Sequence, residues 1–286
     1  MIVLLGFLGY AFRDSLDKAL PLLRTANRVD IAIAVCLIAL YYLSFVVGWQ
    51  LILRAYGIRL GYRTVLGAEM LSMLAKYVPG GVWTPAARLV AVRRAGVTEN
   101  SLVLASILLE AGLSAIAGVL VMVAGLPFVS GVDAPLWPVG LFAVLCAFLL
   151  HPRVFAPLAT RLLSRLGGGP VPPLPWRTSL GVLAYYCLTW LIGGAAFWFL
   201  LRSLGDPDVS AIPYLGGVTD VGAIVAVVTV IFPSGLGVRE GAVAALAAAV
   251  VPEDVAIAAV VLNRFAITIV EAALLAATAV LRRTRR

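Results

Sequence analysis

Charged residues are scarce in this chain of 286 residues: they make up 13% of the sequence, while apolar residues make up 62%. Soluble domains carry about 25% charged residues, so this composition excludes an ordinary soluble globule. The single histidine excludes a metal centre built on several histidines, and the three widely spaced cysteines predict neither a disulfide framework nor a zinc site. We expect no metal, no cofactor and no enzymatic activity.

Long uncharged runs are abundant instead. Four are long enough to span a membrane, namely residues 31–53, 111–132, 178–201 and 221–238. A helix needs about 20 apolar residues to cross a hydrocarbon core of roughly 30 Å. Residues 134–150 are a marginal candidate, and residues 255–281 qualify if Arg264 and Glu271 face the protein interior. The sequence therefore predicts an all-α polytopic integral membrane protein.

The net charge of +8 comes from 22 basic and 14 acidic residues, and 20 of the basic residues are arginine. In a membrane protein, basic residues in short loops favour the cytoplasmic side, so nucleic acid is not an expected partner. The acid-free loop 151–177 and the basic tail 282–286 are both predicted to be cytoplasmic, and the latter places the C-terminus there.

Two proline- and glycine-rich breaks divide the chain into related halves. Sliding the sequence by 154 residues places Pro79 on Pro233 and Gly81 on Gly235, and eight of the 33 positions aligned over residues 78–110 are identical. Three predicted crossings, residues 30–53, 100–125 and 134–150, lie between equivalent points of the two repeats. Because three is odd, the halves are predicted to be inverted. Inverted repeats with broken helices are typical of transporters. The alternative is that proline and glycine kink two ordinary spanning helices.

The predicted architecture is a single transmembrane domain with two re-entrant helical hairpins. Its segments are a short helix with an interfacial segment (1–28), the first repeat (29–125), a connecting helix and cytoplasmic loop (134–177), the second repeat (178–281) and a basic cytoplasmic tail (282–286). The helix breaks are predicted at Pro79, Gly80, Gly81, Pro233, Gly235 and Gly237.

Ionisable residues inside the apolar stretches mark the candidate site, because a charge at the middle of a bilayer costs about 2.5–3.5 kcal/mol on insertion scales. Those predicted to bind a substrate are Lys76, Arg88, Glu110, Arg239, Glu240 and Arg264. Basic residues beside the breaks, together with helix N-termini, favour an anion, and phosphate fits best. Glu69, Asp220 and Glu271 also lie in apolar stretches.

Glu110 and Arg264 occupy equivalent positions of the repeat and carry opposite charges. We therefore expect them to pair near the pseudo-twofold axis. Such a pair serves either the substrate site or packing alone.

Two motifs lie at the breaks: K-x-x-P-G-G at Lys76, and P-x-G-x-G-x-R-E-G at Pro233, which is followed by Arg264. They resemble the flippase-like transmembrane domain of bacterial lysylphosphatidylglycerol synthases and its stand-alone relatives. The positions that fall on the family pattern are Lys76, Pro79, Gly80, Arg88, Glu110, Pro233, Gly235, Gly237, Arg239, Glu240, Gly241 and Arg264. The resemblance implies a multi-pass protein of the bacterial plasma (inner) membrane that translocates or handles lipids. Because the chain ends at Arg286, we expect no synthetase domain and no lysyl transfer.

Three functions stay open at the level of sequence. The first is a flippase-like translocase for an anionic phospholipid or a polyprenyl-phosphate-linked lipid. The second is a non-transporting membrane partner that presents a lipid-linked substrate to a separate membrane-bound glycosyltransferase or synthetase. The third is a small-anion transporter, which needs the same charges but no lateral opening for lipid.

Overall fold

A computed structural model describes residues 21–22, 24–75, 83–132, 136–165, 168–228 and 237–283, with side chains for all of these except 281–283. Throughout this part of the chain the regular structure is helical, with no strand. Its helices are α1 (Arg28–Ala55), α2 (Tyr62–Ala75), α3 (Trp83–Arg93), α4 (Asn100–Gly125), α5 (Trp137–Leu150), α6 (Pro152–Ser164), α7 (Trp176–Arg202), α8 (Ile212–Val228), α9 (Val238–Ala247) and α10 (Glu253–Arg283).

Five of the described helices are long and apolar enough to cross a membrane: α1, α4, α7, α8 and α10. A sixth span results if α5 and α6, which are bent by 76° at the break between them, are counted together. These helices confirm the predicted all-α, multi-pass membrane fold.

Two pairs of helices flank the predicted breaks. Helix α2 packs against α3, and α8 packs against α9. With 14, 11 and 10 residues, α2, α3 and α9 are about 15–21 Å long, which is too short to span the hydrocarbon core. The break residues Pro79, Gly80, Gly81, Pro233 and Gly235 lie outside the described residues, so the re-entrant and inverted geometry stays a prediction.

The chain divides into two compact units. The α2–α3 unit comprises residues 42–117, 137–189 and 271–286, and the α8–α9 unit comprises residues 1–41, 118–136 and 190–270. Helices α1, α4, α7 and α10 each contribute residues to both units. Each unit thus contains one of the two helix pairs.

The core of the α2–α3 unit is built on apolar residues of α1 and α2. Trp49 and Leu53 of α1 are fully buried, as is Val65 of α2, and they pack with Val92 of α3 and Val103 of α4. This packing seats α2 and α3 against α1 and α4 and so positions the ionisable residues that α2, α3 and α4 carry.

Glycines set the helix spacing in the α8–α9 unit. A Cβ atom at Gly194 of α7 would overlap the backbone of α8 at Gly216, and one at Gly217 of α8 would overlap Met122 of α4. A Cβ atom at Gly118 of α4 would likewise overlap the side chain of Asp220. Small residues of this kind let membrane helices approach closely.

Candidate functional site

The α2–α3 unit contains a buried ion-pair network, which we call the Arg88 network, formed by Glu69 of α2, Arg88 of α3 and Glu110 of α4. Arg88 Nη1 donates to Glu110 Oε2, and Nη2 donates to Glu69 Oε1. The third donor, Nε, reaches Ser72 Oγ at 3.3 Å. All three charged residues are at most 5% exposed. One guanidinium is therefore shared between two carboxylates.

Aromatic side chains complete the surroundings of the Arg88 network. The guanidinium of Arg88 lies 4.7 Å from the ring centroid of Trp49, whose indole N–H donates to Ser106 Oγ at 2.9 Å. The Tyr186 hydroxyl donates to Glu110 Oε1 at 3.4 Å. Because the cation is stacked, hydrogen-bonded and neutralised, this network has the properties of a structural element.

The Tyr186 ring is held in place by close contact with Gly48 of α1, so we expect Gly48→Ala to disturb the Arg88 network. An alanine Cβ would overlap the Tyr186 ring, and overpacking of this kind costs about 1–3 kcal/mol. Thermal denaturation of the purified protein should therefore shift to lower temperature.

The matched control for that substitution is Gly181→Ala in α7, the helix that carries Tyr186. A Cβ atom at Gly181 meets nothing within 4 Å, and alanine is favoured over glycine in a helix by about 0.5–1 kcal/mol. We expect Gly181→Ala to leave the midpoint of thermal denaturation unchanged or to raise it. If both variants lower the midpoint equally, the contact with Tyr186 is not the cause of the loss in Gly48→Ala.

The α8–α9 unit contains a second set of charges, which is arranged differently. Glu240 of α9 and Arg264 of α10 are 4% and 7% exposed. Glu240 Oε1 lies 3.8 Å from Arg264 Nε, which is within ion-pair range but beyond a hydrogen bond. Arg264 Nε, Nη1 and Nη2 have no hydrogen-bond partner in the described part of the chain. Burying a guanidinium whose N–H groups lack acceptors is energetically costly. Arg264 is therefore favourably placed to bind a ligand that supplies hydrogen-bond acceptors.

The other oxygen of Glu240 caps helix α9. Gly237, with φ of +80°, precedes the helix, and its backbone N–H donates to Glu240 Oε2 at 2.8 Å. The positive potential at the N-terminus of α9, which was expected to attract an anion, is thus partly neutralised by the carboxylate of Glu240. Any anion at this unit depends more on the arginines than on the helix terminus.

Two further ionisable residues of this unit are Arg239 of α9 and Asp220 of α8. Arg239 is partly exposed and packs beside Gly222, and it forms no ion pair with any residue that the structure describes. Asp220 is 1% exposed, and its Oδ2 atom has no hydrogen-bond partner among the described residues. The α8–α9 unit therefore holds unsatisfied charged groups, in contrast to the Arg88 network.

Glu110 and Arg264, which were expected to pair, lie in different units, and each has a residue of opposite charge beside it within its own unit. Glu110 binds Arg88, and Arg264 lies next to Glu240. The structure brings Arg239, Glu240 and Arg264 into one unit and Arg88 and Glu110 into the other. The sixth predicted residue, Lys76, lies outside the described residues.

The sequence did not predict the aromatic members of the Arg88 network, the ion pair between Glu69 and Arg88, or the capping of α9 by Glu240. Trp49 and Tyr186 lie in apolar runs, where an aromatic residue looks like ordinary core. Glu69 does carry a signal: together with Ser72 it forms a polar stripe on α2, at positions i and i+3 of one helix face.

A family model described as the lysylphosphatidylglycerol synthase TM region matches residues 1–274. The chain belongs to this family. No curated protein matches the chain significantly. Membership of the lysylphosphatidylglycerol synthase TM region family, together with five spanning helices, identifies a membrane protein of lipid metabolism or transport. The match extends over parts of both units. The Arg88 network and the charged residues Arg239, Glu240 and Arg264 therefore all lie within the region that the family model matches.

Proposed function

We propose that this member of the lysylphosphatidylglycerol synthase TM region family translocates an anionic phospholipid or a lipid-linked phosphate across the membrane. The head group binds at Arg239 and Arg264 of the α8–α9 unit. The observation that carries the proposal is the buried guanidinium of Arg264, whose nitrogens lack hydrogen-bond partners among the described residues. A phosphate oxygen is the acceptor that a guanidinium binds best, through two parallel hydrogen bonds.

Charge balance supports a phosphodiester. Arg239, Glu240 and Arg264 together carry one net positive charge, and a phosphodiester carries one negative charge. Asp220 forms no ion pair with either arginine, so it does not neutralise them directly. An anionic ligand would thus remove the uncompensated charge of this set, whereas a zwitterionic lipid would bring a second cation to it.

The Arg88 network supports the proposal in a different way. Its two carboxylates already neutralise Arg88, so we assign Arg88 and Glu110 to holding α3 against α2 and α4 and not to direct contact with the head group. A firm α2–α3 unit gives the translocating protein a fixed framework. The proposed hinge is the predicted break around Pro233, because the break at Pro79 falls between two helices that the Arg88 network holds together.

The proposal assigns no catalytic step to the chain. It includes a location in the plasma membrane with the C-terminus in the cytoplasm, which the arginine-rich tail 282–286 supports. Whether the head group belongs to a phospholipid or to a polyprenyl-phosphate-linked lipid is decided by experiment, because both present a phosphodiester to an arginine.

The test is reconstitution of the purified chain into liposomes that contain fluorescent phosphatidylglycerol or fluorescent phosphatidylcholine in both leaflets. Dithionite added outside reduces only the outer fluorophores, so translocation appears as quenching beyond the outer half. We expect faster quenching of phosphatidylglycerol and no change for phosphatidylcholine. A trapped water-soluble fluorophore that stays bright excludes leakage.

The outcomes separate the alternatives. Quenching of both lipids at equal rates would contradict head-group selection at the arginines. No acceleration of either lipid would contradict phospholipid translocation, and the same assay with a fluorescent polyprenyl phosphate then tests the lipid-linked substrate. Flux of free phosphate without any lipid movement would favour the small-anion transporter.

A further inference from the structure

Helix α6 follows α5 after a sharp bend at His151. The two helix axes differ by 76°. Helix α5 has an entirely apolar sequence, and none of its 14 residues is buried within the protein. In a membrane protein, the exposed apolar residues of such a helix face acyl chains. Residues 151–177 were expected to form a loop, whereas residues 152–164 are helical.

Helix α6 has three distinct stripes. The stripe that packs into the protein consists of Phe155, Ala156, Ala159 and Leu163. Leu158 and Leu162, four residues apart, form an outward apolar stripe, and they are 50% and 53% exposed. Arg161 and Arg165, also four apart, form a neighbouring charged stripe and are exposed, as is Arg153. An apolar stripe beside a basic one is typical of helices that lie at a membrane surface.

The orientation of α6 is fixed by the segment that follows it. Val171 N–H donates to Thr160 Oγ1 at 2.9 Å, and Gly168 N–H donates to Leu163 O at 2.9 Å. Val171 itself is buried. The exposed leucine and arginine stripes therefore have defined directions, which a free loop would not have.

An exposed tryptophan lies beside the start of α6. Trp176, the first residue of α7, is 55% exposed, and its ring centroid is 5.9 Å from that of His151. Tryptophan is enriched at the level of lipid head groups because its ring is apolar and its N–H is polar. His151 and Trp176 thus mark the depth at which α6 begins.

We propose that α6 lies in the membrane–water interface and binds the head groups of an anionic bilayer surface. In this proposal α5 runs along the membrane normal, and α6, whose axis differs from that of α5 by 76°, therefore runs close to the membrane plane. Leu158 and Leu162 then enter the acyl region, and Arg153, Arg161 and Arg165 reach the phosphates. The occupant is an anionic lipid surface because residues 151–177 contain four arginines and no acid.

This inference goes beyond the proposed translocation and does not depend on it. It concerns the α2–α3 unit, to which α6 belongs, and a binding event that needs no movement of lipid between leaflets. Its consequence is a surface enriched in anionic lipid around this unit. A protein that only presents lipids would have the same surface.

The first test compares the lipids around the reconstituted protein by electron paramagnetic resonance. Spin-labelled phosphatidylglycerol and phosphatidylcholine each show a motionally restricted fraction at the protein surface. We expect the wild type to prefer phosphatidylglycerol and the triple variant R153Q/R161Q/R165Q to lose most of that preference. The matched control, R59Q/R93Q/R94Q, removes three other exposed arginines of the same unit and should keep it.

The second test measures the depth of α6 directly. Nitroxide labels are attached at Leu162→Cys and, separately, at Ser164→Cys, in a chain whose native Cys36, Cys146 and Cys187 are replaced by alanine. We expect the label at 162 to collide more with oxygen, which concentrates in lipid, and the label at 164 to collide more with a water-soluble nickel reagent.

Three results would overturn the inference: a wild type without preference for phosphatidylglycerol, equal losses of preference in both triple variants, or a label at residue 162 that is more accessible to nickel than to oxygen. The last result would mean that α6 stands in water and its leucines face a soluble partner. Neither measurement involves translocation, so failure of the proposed translocation would leave both unchanged.

Discussion

Replacing Arg264 with alanine is expected to reduce the selective translocation of phosphatidylglycerol at least tenfold, to the rate of protein-free liposomes. The guanidinium is buried next to Glu240 with its hydrogen-bond donors open among the described residues, and two hydrogen bonds from a guanidinium to a phosphate are the strongest contacts that this unit offers. The measurement is the dithionite assay at equal protein density. Arg264→Lys keeps the charge but not the paired donors, and we expect intermediate activity from it.

The stability of the same variant distinguishes a binding role from a structural one. Arg264 makes no hydrogen bond through its side chain in the described part of the chain. Its removal takes the ion-pair partner at 3.8 Å from Glu240, but this carboxylate still accepts a hydrogen bond from Gly237 N–H. We expect the thermal midpoint of Arg264→Ala in detergent to fall less than that of Arg88→Met, which takes the cation from two hydrogen-bonded carboxylates.

A matched control for Arg264 is Arg202→Ala. Arg202 also belongs to the α8–α9 unit, but it pairs with Asp30 and its side chain is 40% exposed. We expect it to keep full translocation. Wild-type translocation by Arg264→Ala, or equal losses in the two variants, would contradict the assignment of the head-group site.

Replacing Arg88 with methionine is expected to cause a large loss of stability, in contrast to Arg264→Ala. It removes the cation from two buried carboxylates and leaves them facing each other, and breaking a buried ion pair by removing one partner costs about 3–5 kcal/mol. The measurement is the fraction of monodisperse protein that remains after heating in detergent, followed by size-exclusion chromatography.

The neutral triple variant E69Q/R88M/E110Q tests the cause of that loss. It removes all three charges, so most of the stability should return, since a buried ion-pair network contributes little when compared with neutral groups of similar size. If Arg88→Met alone is as stable as the wild type, the Arg88 network is not structural. If the triple variant is as unstable as the single one, packing and not charge explains the loss.

The sequence predicts the fold class well because its signal is local. A run of about 20 apolar residues identifies a membrane helix without knowledge of its neighbours, and the five spanning helices follow from such runs. An ionisable residue in such a run is also visible at once, which is why Arg88, Glu110, Glu240 and Arg264 could be selected. Their burial at 2–7% exposure agrees with that choice.

The partners of these residues could not be predicted, because pairing depends on which helix faces touch. Repeat equivalence favoured Glu110 with Arg264, whereas within the α2–α3 unit Arg88 Nη1 donates to Glu110 Oε2. Helix α6 was missed for another reason. Pro157 within it and the glycine- and proline-rich run after it indicate a loop, although Phe155, Ala159 and Leu163 share one helix face.

The glycine contacts of the α8–α9 unit limit how the sequence of this family can diverge. Gly194 meets backbone atoms of α8 at Gly216, and backbone cannot be shortened in return, so no second substitution makes room for a larger residue at 194. Gly118 meets the side chain of Asp220 instead. Because the clash includes the Cβ atom of Asp220, a larger residue at 118 is open to evolution only if residue 220 becomes glycine, which makes the buried acid and its facing glycine a pair of positions that change together.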